Sequence, residues 1–165
     1  GEPWRLGDTY HTVIGQYGFQ VTPLQAARAI AAIANDGKLL EPRIVVEKNA
    51  PPVFNVIPVQ TSSLKVVKEG MREGVQSGTA SALWLPGVSV AAKTGTAELG
   101  TLKKLVNSWV VGFFPVDTPR YAFAIIMEKG PRDNTVGAAY VARQLLEWMQ
   151  VYTPEYLRAT GTSNQ

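Results

Sequence analysis

Ala91-Ala92-Lys93-Thr94-Gly95-Thr96-Ala97-Glu98 carries a run of small residues into a lysine, two hydroxyls and a glycine. Its first part belongs to a segment, Val88–Thr96, that reads as a strand. Two more runs rich in β-branched and aromatic residues follow, Asn107–Phe114 and Tyr121–Glu128. Glu98–Gly100 and Pro115–Arg120 supply turn-forming residues between them, so the runs are expected to form successive antiparallel strands. Alternation sets Lys93 and Gly95 on one face and Thr94 and Thr96 on the other. A ligand using both Lys93 and Thr94 must then lie along an exposed strand edge, where backbone N–H and C=O groups are also on offer. Gly95 removes the side chain that would keep a ligand off the backbone. A lysine charge, hydroxyls and a backbone N–H suit a carboxylate-bearing substrate and an oxyanion. A glycine-kinked edge strand with a solvated lysine is the plainer reading of so short a motif.

Helical signals flank the strands. Thr22-Pro23-Leu24-Gln25 combines an N-cap hydroxyl, a proline at the first helical position and a capping-box glutamine. Leu24, Ala27, Ile30, Ala31 and Ala34 recur at helical spacing, and Asn35-Asp36-Gly37 marks the stop. Thr9–Gly18 reads as short helical or irregular, Leu39–Lys48 as extended and Asn49–Pro58 as a proline-rich loop. A helix starting at Thr61 or Ser62 is expected to turn Leu64, Val67 and Met71 inward. Gly137–Gln150 closes the fold, with Ala139, Val141, Ala142, Leu145, Leu146 and Met149 on an apolar face. The predicted class is α+β. Residues 1–151 form the folded portion, and 152–165 a polar, frayed tail.

The 165 residues, 45% hydrophobic and 18% charged, suffice for one domain's core. A net charge of +3, scattered along the chain, gives no nucleic-acid stripe. With no cysteine and the single histidine His11, disulfides, thiol chemistry and multi-histidine metal sites are excluded. Gly95 and Gly100 echo the glycine spacing of a phosphate loop, but Thr101 stands where lysine is required. No segment approaches the ~20 apolar residues of a membrane span.

Lys-Thr-Gly is the third motif of the serine penicillin-recognising enzymes. Around it, in order, stand Gly7-Asp8-Thr9-Tyr10, Ile14-Gly15-Gln16, Val21-Thr22-Pro23-Leu24-Gln25, Asn35-Asp36-Gly37, Val67-Lys68-Glu69-Gly70-Met71 and Ser108-Trp109-Val110-Val111-Gly112-Phe113-Phe114-Pro115. From about Gly7 to Gln150 the chain resembles the C-terminal part of the transpeptidase domain of class B penicillin-binding proteins, of the elongation type. The resemblance implies a five-stranded antiparallel sheet between helices, of which this chain supplies three strands and the terminal helix. It implies a D,D-transpeptidase that cross-links peptidoglycan stem peptides through a serine acyl-enzyme and is acylated by β-lactams. Lys93 then sets the local positive potential and assists proton transfer, Thr94 and Thr96 hold the substrate carboxylate, and Thr96 N–H is an oxyanion donor beside Gly95. No cofactor or metal is implied. The implied partners are stem peptides, β-lactams, the upstream part of the same protein and other cell-elongation proteins, with no nucleic acid. The implied location is the cytoplasmic membrane, anchored by a helix outside this chain, with the domain facing the periplasm or cell exterior.

The family's S-x-x-K and S-x-N motifs belong upstream, and no S-x-N precedes Lys93. A formal S-x-x-K, Ser62-Ser63-Leu64-Lys65, reads as a helix N-cap cluster. The chain is thus expected to be a fragment, inactive and marginally stable by itself. Gly15-Gln16-Tyr17-Gly18 departs from the Gly-Gln-Gly that relatives commonly carry. His11, Glu98 and Lys103-Lys104 read as structural or solvated residues, and Trp109 and Phe113 as core. Two alternatives share the fold: a non-catalytic β-lactam sensor or interaction domain, and a serine β-lactamase. The block from Gln16 to Gln25 favours the transpeptidase over the latter.

Overall fold

The computed structural model describes residues 3–16, 19–45, 51–100, 102–134 and 136–158. Tyr17, Gly18 and the stretch 46–50 lie outside them, as do 159–165. In chain order come α1 (Leu6–Val13), α2 (Pro23–Ala34), β1 (Lys38–Leu40), β2 (Phe54–Val56) and α3 (Thr61–Gln76). Then follow β3 (Ala91–Leu99), β4 (Leu105–Phe114), β5 (Tyr121–Pro131) and α4 (Ala138–Tyr152). The α+β class holds: β3, β4 and β5 form an antiparallel sheet in that order, and β1 pairs with β2 in a small second ladder.

Two apolar faces explain the arrangement. Ala92 and Val110 share a sheet face with Phe114, and β5 adds Phe123, Ile125 and Met127. Ala142 and Leu146 of α4 and Val75 of α3 seal that side. On the opposite face Ala91 and Phe113 meet Ile30 and Ala34 of α2 and Met71 of α3. Phe113, Val110 and Leu83 are fully buried, and each such side chain contributes about 1.5–3 kcal/mol of hydrophobic stabilisation. The second cover is short. It protects the Ala91 end of the face and leaves Lys93, Gly95 and Trp109 outside the core.

Helix α2 begins as its sequence dictates: Thr22 Oγ1 accepts from Gln25 N–H at 3.2 Å, and Gln25 Oε1 accepts from Thr22 N–H at 2.8 Å. It ends through two left-handed residues, Asp36 and Gly37. Helix α4 is anchored by Ser108, whose Oγ accepts from Ala138 N–H at 3.0 Å.

Several expectations are corrected. Of the expected extended stretch, residues 41–45 are not strand and 46–48 lie outside the described residues. The strand is Lys38–Leu40, and its partner Phe54–Val56 falls inside the expected loop, because an isolated strand needs a ladder for its peptide groups. The strand predicted from Val88 starts at Ala91 and runs to Leu99. Val67 is exposed and Val75 takes the inward place, one turn beyond Met71. Leu24 and Leu145 also face outward. The Ser62 cluster caps nothing: α3 is preceded by Gln60, and no side chain closes its first turn. Residues 154–157 do not fray with a tail. Pro154–Tyr156 make a 3-10 turn, Leu157 is buried, and Tyr156 meets Tyr121 edge-on at 5.4 Å. Glu98 is no solvated turn residue. Its carboxylate takes Lys103 Nζ and Arg132 Nη1, each at 2.8 Å, and ties the β3–β4 turn to the end of β5.

Two outcomes follow from this packing. A Cβ on Gly112 would sit 2.5 Å from the Ala91 carbonyl oxygen and 2.6 Å from the Phe123 ring, whereas one on Gly95 meets only Trp109 Cβ at 3.5 Å. Gly112→Ala is expected to cost about 1–3 kcal/mol and Gly95→Ala much less, read as the fall in urea midpoint. At Glu98 the hydrogen bond from Lys103 leads in holding the carboxyl below the ordinary glutamate range. Partial burial opposes it, and the charges of Lys103 and Arg132 add to it. A depressed folded-state value stabilises the turn above the unfolded value and loses that contribution as pH falls through the folded one. In an NMR titration Glu98 is expected to ionise below its ordinary range. Lys103→Ala or molar salt should move it back up.

Candidate functional site

Strand β3 is an edge of its sheet among the described residues, with β4 as its ladder partner. The register settles which side chains share a face. Lys93 stands opposite Val111 and Gly95 opposite Trp109, while Thr94 faces Val110 and Thr96 faces Ser108. The predicted division is therefore present: Lys93 and Gly95 on one face, Thr94 and Thr96 on the other.

At the outer margin the two threonines present backbone groups away from β4. Thr94 C=O accepts from Lys93 Nζ at 2.6 Å, and Thr96 C=O accepts from Gln16 Nε2 at 2.8 Å. The N–H and C=O of one strand residue point to the same side. Thr96 N–H is thus directed outward as well, beside a carbonyl already engaged. Thr94 Oγ1 donates to Thr79 Oγ1 at 2.9 Å, across the end of the loop that follows α3.

A cavity of about 450 Å³ lies alongside, walled by Lys93, Gly95, Thr96, Trp109 and Glu128, with Ile14 and Phe19 across from them. Its position follows from the short cover of α2. Beyond that helix the sheet face is open, and the segment after α1 borders the gap. A second cavity of about 710 Å³ is lined by Gln16 together with Asp8, His11, Glu98 and Lys103. Ile14 borders both.

The structure thus brings Lys93, Thr94, Gly95 and Thr96 together along one cavity. Trp109, read as a core residue, forms part of the cavity wall instead, while Phe113 is in the core. Ser62 is exposed on α3 and lines neither cavity. His11 sits exposed in the last turn of α1. Thr79, Glu128 and the contact of Gln16 join the site without a signal in the sequence. Nothing in the sequence pairs residue 79 with 94, since the loop between them has no repeating pattern. Among the described residues no cluster of His, Cys, Asp and Glu is set to hold a metal, and no helix is long and apolar enough to cross a membrane.

Comparison with known proteins agrees with this geometry. Residues 2–147 match the family model of the penicillin-binding protein transpeptidase domain. The chain is 29% identical to the peptidoglycan D,D-transpeptidase MrdA of Acinetobacter baumannii, over 88% of this chain and 25% of that protein. Among solved structures, penicillin-binding protein 2 of Helicobacter pylori in complex with MreC matches with a TM-score of 0.73 and 29% identity. That match covers 90% of this chain and 28% of the other. The imipenem acyl-enzyme of penicillin-binding protein A from M. tuberculosis matches with a TM-score of 0.69 and 28% identity, over 83% of this chain and 32% of the other. The chain spans between a quarter and a third of the length of these relatives. A Lys-Thr-Gly-Thr strand at a sheet edge, the cavity beside it and a matching family model over nearly the whole length agree, and the chain belongs to the penicillin-binding protein transpeptidase family.

Proposed function

We propose that this chain is the C-terminal portion of a peptidoglycan D,D-transpeptidase and supplies one wall of its cleft, while the serine nucleophile comes from upstream polypeptide. The observation that carries the reading is the outward margin of β3 at Thr94 and Thr96, with Lys93 beside it and a cavity of about 450 Å³ along it.

Each residue has a chemical part. A donor stem peptide ending in D-Ala lies along the margin. The upstream serine oxygen attacks the penultimate D-Ala carbonyl carbon, and the carbonyl oxygen gains negative charge. Thr96 N–H donates to that oxyanion; losing one such donor raises a barrier by about 3–4 kcal/mol. The C–N bond then breaks, D-Ala leaves with a proton on its nitrogen, and an acceptor amine resolves the ester. Lys93 keeps the cleft positive, which draws the terminal carboxylate in and favours the serine's loss of its proton. The hydroxyls of Thr94 and Thr96 receive the carboxylate. A hydroxyl has one proton and two lone pairs. Thr94 can therefore turn its proton to the incoming carboxylate and accept from Thr79 instead, without moving a heavy atom. Gly95 leaves the backbone open to close approach. No cofactor is needed for these steps.

The relatives extend the proposal. The acyl-enzyme of the M. tuberculosis protein supports β-lactam acylation of the same cleft, and the H. pylori complex supports an elongation-type assembly with a partner of the MreC kind. The parent protein is then anchored in the cytoplasmic membrane by a helix outside this chain, with this domain on the outer side.

Fluorescent penicillin is expected to label the full-length protein at a serine upstream of Gly1 and to leave the isolated chain unlabelled. Lys93→Met should slow labelling of the full-length protein roughly a hundredfold or more. Labelling of the isolated chain at Ser62, or a Lys93→Met variant labelled at the unsubstituted rate, contradicts the proposal.

A further inference from the structure

We infer that Gln16 is a positioning residue for acylation: its side-chain amide holds the Thr96 backbone so that the Thr96 N–H meets the oxyanion. The inference rests on the transpeptidase reading above and assigns a role to a residue outside the Lys-Thr-Gly motif.

The contact spans 80 positions of sequence and is short, with Gln16 Nε2 donating to Thr96 C=O at 2.8 Å. Its near end is fixed by backbone. Gln16 N–H donates to His11 C=O at 2.8 Å and Gly15 N–H to Thr12 C=O at 2.9 Å, with Gly15 left-handed at φ +73°. These paired bonds are the ones that close a helix through a left-handed glycine. The glutamine is thereby carried on the end of α1 with a set direction, and its side chain is half-buried.

Its far end is where a clamp matters. Among the described residues β3 has no ladder partner on its outer side. The Gly95 carbonyl, at the other end of the peptide plane that carries the Thr96 N–H, faces β4 opposite Trp109, so that plane is held on its inner side alone. Anchoring the Thr96 carbonyl restrains the adjoining plane and, through the shared Cα, the direction of that N–H. Oxyanion donors act within about 2.7–3.1 Å of the developing charge, so a small swing forfeits the contact. The carbonyl keeps a second lone pair, so a substrate amide can still share it.

The test measures acylation of the full-length protein by a fluorescent penicillin, separating initial binding from the rate constant of acylation. Gln16→Ala is expected to lower that rate constant about tenfold, with binding and melting temperature near the unsubstituted values. Gln16→Glu should be as slow at neutral pH, where a carboxylate faces the carbonyl oxygen. Its rate relative to the unsubstituted protein should recover as pH falls toward about 4.3, where the protonated acid can donate as the amide did. A Gln16→Ala variant that acylates at the unsubstituted rate overturns the inference. So does a loss shared equally by rate, binding and melting temperature, or a Gln16→Glu ratio that does not change with pH. An unsubstituted protein that takes no label overturns the transpeptidase reading and this inference with it.

Discussion

A strand edge offers N–H and C=O groups to whatever lies beside it, and β3 offers them at Thr94 and Thr96. Alternation forbids one face from presenting both Lys93 and Thr94, so a ligand that uses both has to run along the margin. That constraint makes the neighbouring elements intelligible. Helix α2 covers the Ala91 end of the sheet and stops short of Trp109, which leaves the cavity beside Lys93. Lys93 and Gln16 engage the two outward carbonyls, so the margin meets a ligand chiefly through donors. Donors are what a carboxylate and an oxyanion require.

The rest of the fold keeps that edge straight. Phe113 and Val110 are buried on opposite faces of β4, so the central strand is gripped from both sides. Gly112 permits the close approach of the Phe123 ring, and Ser108 fastens the start of α4 to β4. At the far end of β3 the charge cluster of Glu98, Lys103 and Arg132 closes the turn. These charges are partly exposed, so their worth is small singly and salt-sensitive. Their effect is to hold the turn in one geometry beside the second cavity.

The strongest local signals in the sequence survive intact. Thr22-Pro23-Leu24-Gln25 caps α2 because all its partners lie within one turn, and no distant residue can alter that geometry. The three strands are legible because β-branched and aromatic residues cluster between turns. Their ends are less so: β3 starts at Ala91, since Val88 bridges to Leu85 in a tight turn instead. Tertiary effects leave no such local signal. Val67 and Val75 stand about 80° apart on α3, one on either side of Met71, and the placement of the sheet decides which is buried. The pairing of β2 with β1 and the docking of Leu157 likewise depend on surfaces that form after the helices and strands. At the site, the Lys-Thr-Gly motif and its alternation could be read directly. Contacts separated by 80 and 15 positions, Gln16 with Thr96 and Thr79 with Thr94, leave no local pattern to read.

On the transpeptidase proposal a donor carbonyl docks on the outer margin of β3. A crystal structure of the full-length protein acylated by a β-lactam tests it most directly, through the distance from the acyl carbonyl oxygen to the Thr96 backbone nitrogen. The expected distance is about 2.7–3.1 Å, with the β-lactam carboxylate among the hydroxyls of Thr94 and Thr96. An acyl group bound away from this margin, with its carbonyl oxygen out of reach of Thr96 N–H, would contradict it.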